Sequence, residues 1–391
     1  MIRYLLAFLL LFIPSVGESR TLKSSERFFR SELFKNWWEM QELAGLPPQS
    51  PKQRRKAYHN YLMLAQNDAK VAHAFFAKAT LFTPLEKYFD SLFPNDLVKR
   101  GEISPEEFGR IVDLYYQKGL KIPGLDGPID DKTKNPVWGG NLPYKLFDLG
   151  KTALLRIPNV TDPKLDISKE FTNHIAYLQQ TGRHHLYINV MSGLSGDKEA
   201  KQCRDLNASQ SEGLTVVTLD KDSDFYWQEG IWMEEGDAET FLVQFQERLL
   251  SQSDTNFWPD ELQTIEWHDK VENIIRRTYE ENFSSSSELS QIMRQDLIEL
   301  VYVELIWELI DVIKPDFANI SCKNTIDRGP SLIALLYLKN QHTFTGQQLH
   351  KMLSLVLAQP ILMRNRVAHS PRIERMARAA MIMLSHKQHQ Q

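Results

Sequence analysis

Apolar residues recur at three- and four-residue spacing through three stretches of the first third of the chain: SERFFRSELFKNWWEMQELA from Ser25, KQRRKAYHNYLMLAQNDAKVAHAFFAKATLF from Lys52 and SPEEFGRIVDLYYQKGL from Ser104. That period gathers the apolar side chains on one helix face, so the pattern predicts an all-helical N-terminal region over 25–123. Ser104, with Glu107 three residues on, reads as a capping box. Between Ile122 and Leu149 the period disappears into a run rich in Pro, Gly and Asp, which predicts a long loop or linker with a boundary near Gly124.

Beyond it the texture changes. HLYINVM (His185 to Met191) and LTVVTLD (Leu214 to Asp220) carry the β-branched and aromatic content of strands, with a helical stretch from Asp197 to Gln210 between them. Helices are predicted at Asp237–Gln252 and Asp260–Asn282, and a longer one at Ser287–Ile313. In the last, LIELVYVELIWELIDVI is apolar on most sides and belongs in the core. Pro315 ends that helix, DFANIS forms a short strand, and Gly329–Pro330 open another helix, SLIALLYL. Such alternation predicts an α/β fold over 124–391, a mainly parallel sheet wrapped by helices, with its ligand site at the carboxyl ends of the strands.

Composition adds little to this picture, but cysteine usage does. The 391 residues include only Cys203 and Cys322, with no CxxC pair, so the sequence offers neither a disulfide framework nor a cysteine zinc site. MIRYLLAFLLLFIPSVGES reads as a signal peptide over 1–17, cut after Gly17: basic Arg3, an apolar run too short to span a bilayer, then Pro14 and small residues. The competing reading is a buried N-terminal helix. Net charge is −4 but uneven: from Lys314 onward there are 11 Lys and Arg against 3 Asp and Glu, leaving the rest of the chain acidic. A positive field there favours anionic substrates or anionic membrane surfaces, and lowers a thiol's pKa.

Cys322 lies in that basic third, in SCKNTIDRGP, six residues ahead of Arg328. A cysteine and an arginine so spaced, between a strand and a helix, let the loop amides, the arginine fork and the helix N-terminus converge on one anion. A thiolate there can attack phosphorus in line, forming a cysteinyl phosphate without a metal or other cofactor, while Arg328 spreads the developing charge. Lys323 adds a third positive donor. CKNTIDR resembles the signature loop of cysteine-based phosphoinositide phosphatases, in which Cys-Lys-x-x-x-Asp-Arg marks the inositol polyphosphate 4-phosphatases and the bacterial effector phosphatases of the SidF and SidP kind; Sac-type enzymes have a related loop.

The resemblance implies a cysteine-phosphatase-like catalytic domain, secreted by a bacterium to work on host membranes. It implies removal of a ring phosphate, the 3-phosphate by likeness to the effectors, from polyphosphoinositides. Cys322, Arg328 and Asp327 would be catalytic, Asp327 as general acid, with Lys323, Asn324, Thr325 and Ile326 lining the substrate. Two positions depart from the pattern: Ile326, where a second lysine is common, and Gly329, where Ser or Thr stabilises the leaving thiolate; Thr325 or Ser331 are the available substitutes. Alternatives of the same chemistry are soluble inositol polyphosphates and phosphotyrosine, which Trp258-Pro259-Asp260 favours: that tripeptide is the acid loop of tyrosine phosphatases, making Asp260 the competing general acid, or else only a Pro turn with Asp260 as helix cap. From another class comes a helical interaction protein with Cys322 merely buried.

Other features divide between two readings. DKDSDF from Asp220 lacks the Gly and the Glu of a calcium loop; Asp220, Asp222, Ser223 and Gln228 either line the pocket or form a polar turn. His184 and His185 read as surface or capping residues. Arg364, Arg366, Arg372, Arg375 and Arg378 form either a solvated helix face or a basic surface for an anionic headgroup or membrane, with Arg364 and Arg366 reaching a second phosphate. The stacking aromatics of nucleic-acid binders are lacking.

Overall fold

A computed structural model describes residues 50–77, 99–117, 143–162, 165–194, 196–234, 236–253, 255–283, 286–364 and 370–389. The expected signal segment, the Ser25 stretch and the boundary near Gly124 lie outside them. Among the described residues no helix is long and apolar enough to cross a membrane.

The Lys52 stretch is two helices rather than one, α1 (Pro51–Ala65) and α2 (Ala69–Ala77). Ser50 and Gln53 close a reciprocal capping box on α1, and Asp68 accepts from the amides of Lys70 and Val71, opening a second helix where the first has ended. α3 (Pro105–Gln117) starts as expected, with Ser104 Oγ accepting from Glu107 N at 3.2 Å, although the Glu107 carboxylate pairs with Arg100. The buried faces of all three helices belong to the same hydrophobic core as the sheet.

The run read as a loop to Leu149 instead ends in a strand, β1 (Tyr144–Leu149), which makes a hairpin with β2 (Thr152–Arg156) around Gly150 at φ +61°. Tyr144, Leu146 and Leu149 turn inward, and this alternation of buried and open positions outweighs the loop-like composition just before it. A two-stranded hairpin, β3 (Thr161–Asp162) and β4 (Leu165–Ile167), precedes α4 (Lys169–Gln180). There follow β5 (His185–Asn189), α5 (Gly196–Asn207), β6 (Leu214–Leu219), the single turn α6 (Asp224–Trp227), α7 (Ala238–Leu250) and β7 (Asn256–Phe257). The chain ends with α8 (Ile265–Phe283), α9 (Gln291–Ile313), β8 (Phe317–Ser321), α10 (Arg328–Lys339), α11 (Gly346–Arg364) and α12 (Ser370–His389).

The six-stranded sheet runs β1-β2-β8-β5-β6-β7. Its four inner strands are parallel and its two edges antiparallel, so the α/β class holds and the sheet is mixed. The last strand in the chain, β8, inserts between β2 and β5, pairing Leu155 with Asn319 and Asn189 with Ser321. Every residue of β5 is buried, as expected of an inner strand covered on both faces. α9 buries residues all round, from Leu297 to Leu309.

His185 is therefore no surface residue. It lies fully buried in a row that crosses from the N-terminal helices to the sheet. His73 Nδ1 meets His174 Nδ1 at 3.3 Å, His174 Nε2 meets His185 Nδ1 at 3.4 Å, and His185 Nε2 meets Asn319 Oδ1 at 2.6 Å. Asn319 then donates to Ser321 Oγ at 2.7 Å. His184 is half-buried, meeting Thr215 Oγ1 and the Glu212 carbonyl.

Burial pushes His174 well below the ordinary histidine range and His185 down to about 4, helped by the neighbouring rings. In the unfolded chain both return to about 6.5, so the folded state binds fewer protons between these values. Their contribution is intact above pH 6.5 and is lost as pH falls toward 4. The thermal midpoint should drop across that window, and His185→Gln should flatten the drop relative to wild type; Asp220 and Asp296, carboxyls pushed up to about 6, act in the opposite sense in both proteins.

Candidate active site

Cys322 follows β8 directly, at the carboxyl edge of the parallel strands, and is buried at 5% exposure. The loop behind it is held from below. Ser321 Oγ and Thr325 Oγ1 both donate to the Ile157 carbonyl, at 2.7 and 2.8 Å, and Arg156 Nη2 reaches the carbonyls of Thr325 at 3.2 Å and Asn324 at 3.4 Å. Thr325 N closes a turn onto the Cys322 carbonyl at 3.2 Å with Thr325 at φ +51°, a left-handed conformation that costs a β-branched residue energy and persists only where its surroundings impose it. Thr325 and Ile326 therefore point into the protein, whereas Lys323 is exposed and Asn324 half-buried.

The chain then enters α10 at Arg328. Gly329 packs so close to β8 that a Cβ would lie 2.5 Å from the Ile320 carbonyl oxygen, which accounts for a glycine where the resembled loop has Ser or Thr. Neither expected substitute keeps a free hydroxyl: Thr325 is bound to Ile157, and Ser331 Oγ donates to the Arg328 carbonyl at 2.8 Å while accepting from Lys221 Nζ at 3.1 Å.

Arg328 is gripped by two carboxylates. Its Nη1 pairs with Glu199, at the start of α5, and its Nη2 with Asp222 Oδ2, just beyond β6, at 2.5 Å. Burial alone would disfavour its charge, but Cys322, Glu199 and Asp222 together hold it above its ordinary range. Arg156, buried and lowered for that reason, is also drawn by Cys322. Cys322 and Arg328 stand at the two ends of the loop that joins β8 to α10. Two of the five Arg328 guanidinium N–H groups are engaged by these carboxylates.

The second oxygen of Asp222 takes Arg372 Nη2 at 2.5 Å, and Arg372 Nη1 donates to the Lys221 carbonyl at 2.8 Å. Here both readings of the C-terminal arginines need correction. Arg372 and Arg375 are buried and Arg378 half-buried; they bind Asp222, Glu299 and Asp296 instead of facing water or a membrane. The charge period along α12 could not distinguish a face turned to solvent from one turned to buried acids. Of the expected second-phosphate residues, Arg366 and the side chain of Arg364 lie outside what is described.

Beneath this lies a charge cluster that went unnoticed in the sequence. Glu299, in the middle of α9, accepts from Lys221 Nζ at 2.7 Å and from the Tyr226 hydroxyl, with Arg375 Nε at 3.5 Å. Burial would raise this carboxyl, yet Lys221 and Arg375 hold it below its ordinary range; Lys221 itself is pushed down to about 8 by burial. No signal in the sequence sets Glu299 apart, since α9 also carries Asp296, Glu304, Glu308 and Asp311, and none marks Glu199, in a stretch that looks solvated.

Of the two acid candidates, Asp327 immediately precedes α10, half-buried, its side chain making no cap bond. Asp260 is exposed, bonded to Gln263, on a chain leaving β7 antiparallel to β6 and so away from the carboxyl edge. Trp258 explains that tripeptide: it is buried, donates to the Leu249 carbonyl at 2.7 Å and packs on Trp267. Within DKDSDF, Asp222 pairs with Arg328, Ser223 caps α6 and Asp220 is buried with Oδ1 taking the Asp222 amide; Gln228, beyond it, binds Arg294. Burial pushes Cys203 up to about 12, which makes it an inert thiol.

No family profile matches the chain, and neither a curated protein nor a solved structure matches it.

Two substitutions probe this construction. Glu299→Gln keeps the shape but leaves Lys221 and Arg375 without a buried counter-charge, and should lower stability in denaturant titration by about 3–5 kcal/mol. Gly329→Ala forces α10 away from β8 and should cost about 1–3 kcal/mol in the same titration.

Proposed function

We propose that this chain is a cysteine-dependent phosphomonoesterase of cysteine-phosphatase-like fold that removes a ring phosphate, the 3-phosphate by the resemblance of its loop, from polyphosphoinositides. One observation supports the reading: Cys322 stands just after an inner strand and Arg328 opens the next helix, at the two ends of one loop at the carboxyl edge of the sheet. In the proposed reaction the Cys322 thiolate attacks phosphorus, the ester P–O bond breaks, and the departing oxygen takes a proton from Asp327. Asp327 then accepts a proton from the water that attacks the cysteinyl phosphate, releasing phosphate and restoring the thiolate. Arg328 and the α10 N-terminus balance the negative charge on the transferring group.

The phosphoinositide and the membrane that carries it remain the proposed partners, with exposed Lys323 the loop's own contact to the headgroup. Export by the segment over 1–17 and action as a bacterial effector on host membranes belong to the same proposal. A second reading is favoured by the carboxylates already bound to Arg328 and by the burial of Cys322: a non-catalytic interaction protein whose cysteine is only a small core residue.

The test is phosphate release from a panel of phosphoinositides, soluble inositol phosphates and phosphotyrosine peptides. Wild type should favour the lipids, Cys322→Ser should lose about a thousandfold or more, and Arg328→Lys about a hundredfold. Undiminished turnover by Cys322→Ser would remove the catalytic reading, and failure of vanadate to protect Cys322 from alkylation would favour the second.

A further inference from the structure

Beyond Asp222 the chain builds a second feature, independent of the catalytic reading. After the single turn of α6, residues 229–234 project three large side chains: Ile231 at 85% exposure, Met233 at 56% and, between them, the partly buried Trp232, which packs edge-on against Phe225. Ile292, on the first turn of α9, is 53% exposed.

These two segments are bound together from within. Buried Arg294 donates through Nη2 to the carbonyls of Trp232 and Met233, both at 3.0 Å. Its Nη1 reaches the Leu289 carbonyl at 2.6 Å, and its Nε reaches Gln228 Oε1 at 2.6 Å. Gln291 Nε2 donates to the Gln228 carbonyl at 2.8 Å. Leu289 N bonds the Gly236 carbonyl at 2.7 Å and Ala238 N the Ser287 carbonyl at 3.0 Å, so the far end of the loop is strapped as well. A buried guanidinium used in this way holds apolar side chains in water in one fixed arrangement, which lowers the ordering cost of any contact they make. Exposed apolar clusters of this kind mark interaction sites.

The charge around them chooses the partner. Glu229, Glu234 and Glu288 are exposed, and neither 222–241 nor 280–293 contains a lysine or arginine. An anionic bilayer would be repelled by that rim, whereas a helix with an apolar stripe flanked by basic residues satisfies both components. We infer that the loop presenting Ile231 and Met233 docks a cationic amphipathic helix of a partner protein.

The full chain is titrated with a fluorescent synthetic peptide of leucine and lysine at helical spacing, beside an isomer of the same composition whose leucines are scrambled off one face. The amphipathic peptide should bind at least about tenfold more tightly. Ile231→Ser with Met233→Ser should erase that preference, and Glu229→Lys with Glu234→Lys should weaken binding and its salt dependence. Unchanged far-ultraviolet dichroism and thermal midpoint show that the variants fold. Equal affinity for the two peptides, or indifference to Ile231→Ser with Met233→Ser, would overturn the inference. So would Ile231-dependent sedimentation with phosphatidylcholine–phosphatidylserine vesicles, which would assign the face to lipid, or Ile231-dependent dimerisation in sedimentation velocity, which would assign it to a second copy.

Discussion

The buried carboxylate of Glu299 is the constraint on which the carboxyl edge of the sheet depends. It stands in the middle of α9, takes bonds from Lys221 beyond β6 and Tyr226 in α6, and is ion-paired with Arg375 in α12. An isolated charge at that depth would be expelled or neutralised, so the three elements that supply its partners must stay where they are. Their positions set those of Asp222 and Arg372, and through Asp222 that of Arg328. The C-terminal helix thus belongs to the candidate site, although it contributes no residue to the Cys322 loop.

Backbone geometry supplies the other half. Thr325 in a left-handed conformation and Gly329 against the Ile320 carbonyl give the loop its shape, and Arg156 from β2 ties its carbonyls to the neighbouring strand. The insertion of β8 between β2 and β5 makes this possible: Ile157, Ser321 and Thr325 meet because strands distant in sequence lie side by side. Arg328 in this arrangement is a charge shared between two acids, which fix the orientation of its guanidinium.

The histidine row obeys the same rule from the opposite side. His174 and His185 are tolerated in the core because burial holds them neutral, and with His73 they are joined in series to Asn319 and Ser321, one residue before Cys322. The N-terminal helices are thereby connected through polar contacts to the strand that delivers the cysteine.

By itself the sequence determined the parts whose signal is local. The strands at His185 and Leu214, the apolar helix ending before Pro315 and the strand–loop–helix around Cys322 follow from side-chain period and helix-breaking residues. Cys322 and Arg328 flank one five-residue loop between β8 and α10. What only tertiary structure decided was the direction and pairing of charges. The arginines of α12 have the same spacing whether they face water or buried acids, and His185 looks like a surface residue until its strand is known to be internal. Glu199, Lys221, Arg156 and Glu299 lie far apart in the chain, and the partner each one finds depends on strand order and helix packing. A charge's partner in a fold is set by three-dimensional proximity, which periodicity along one chain does not encode.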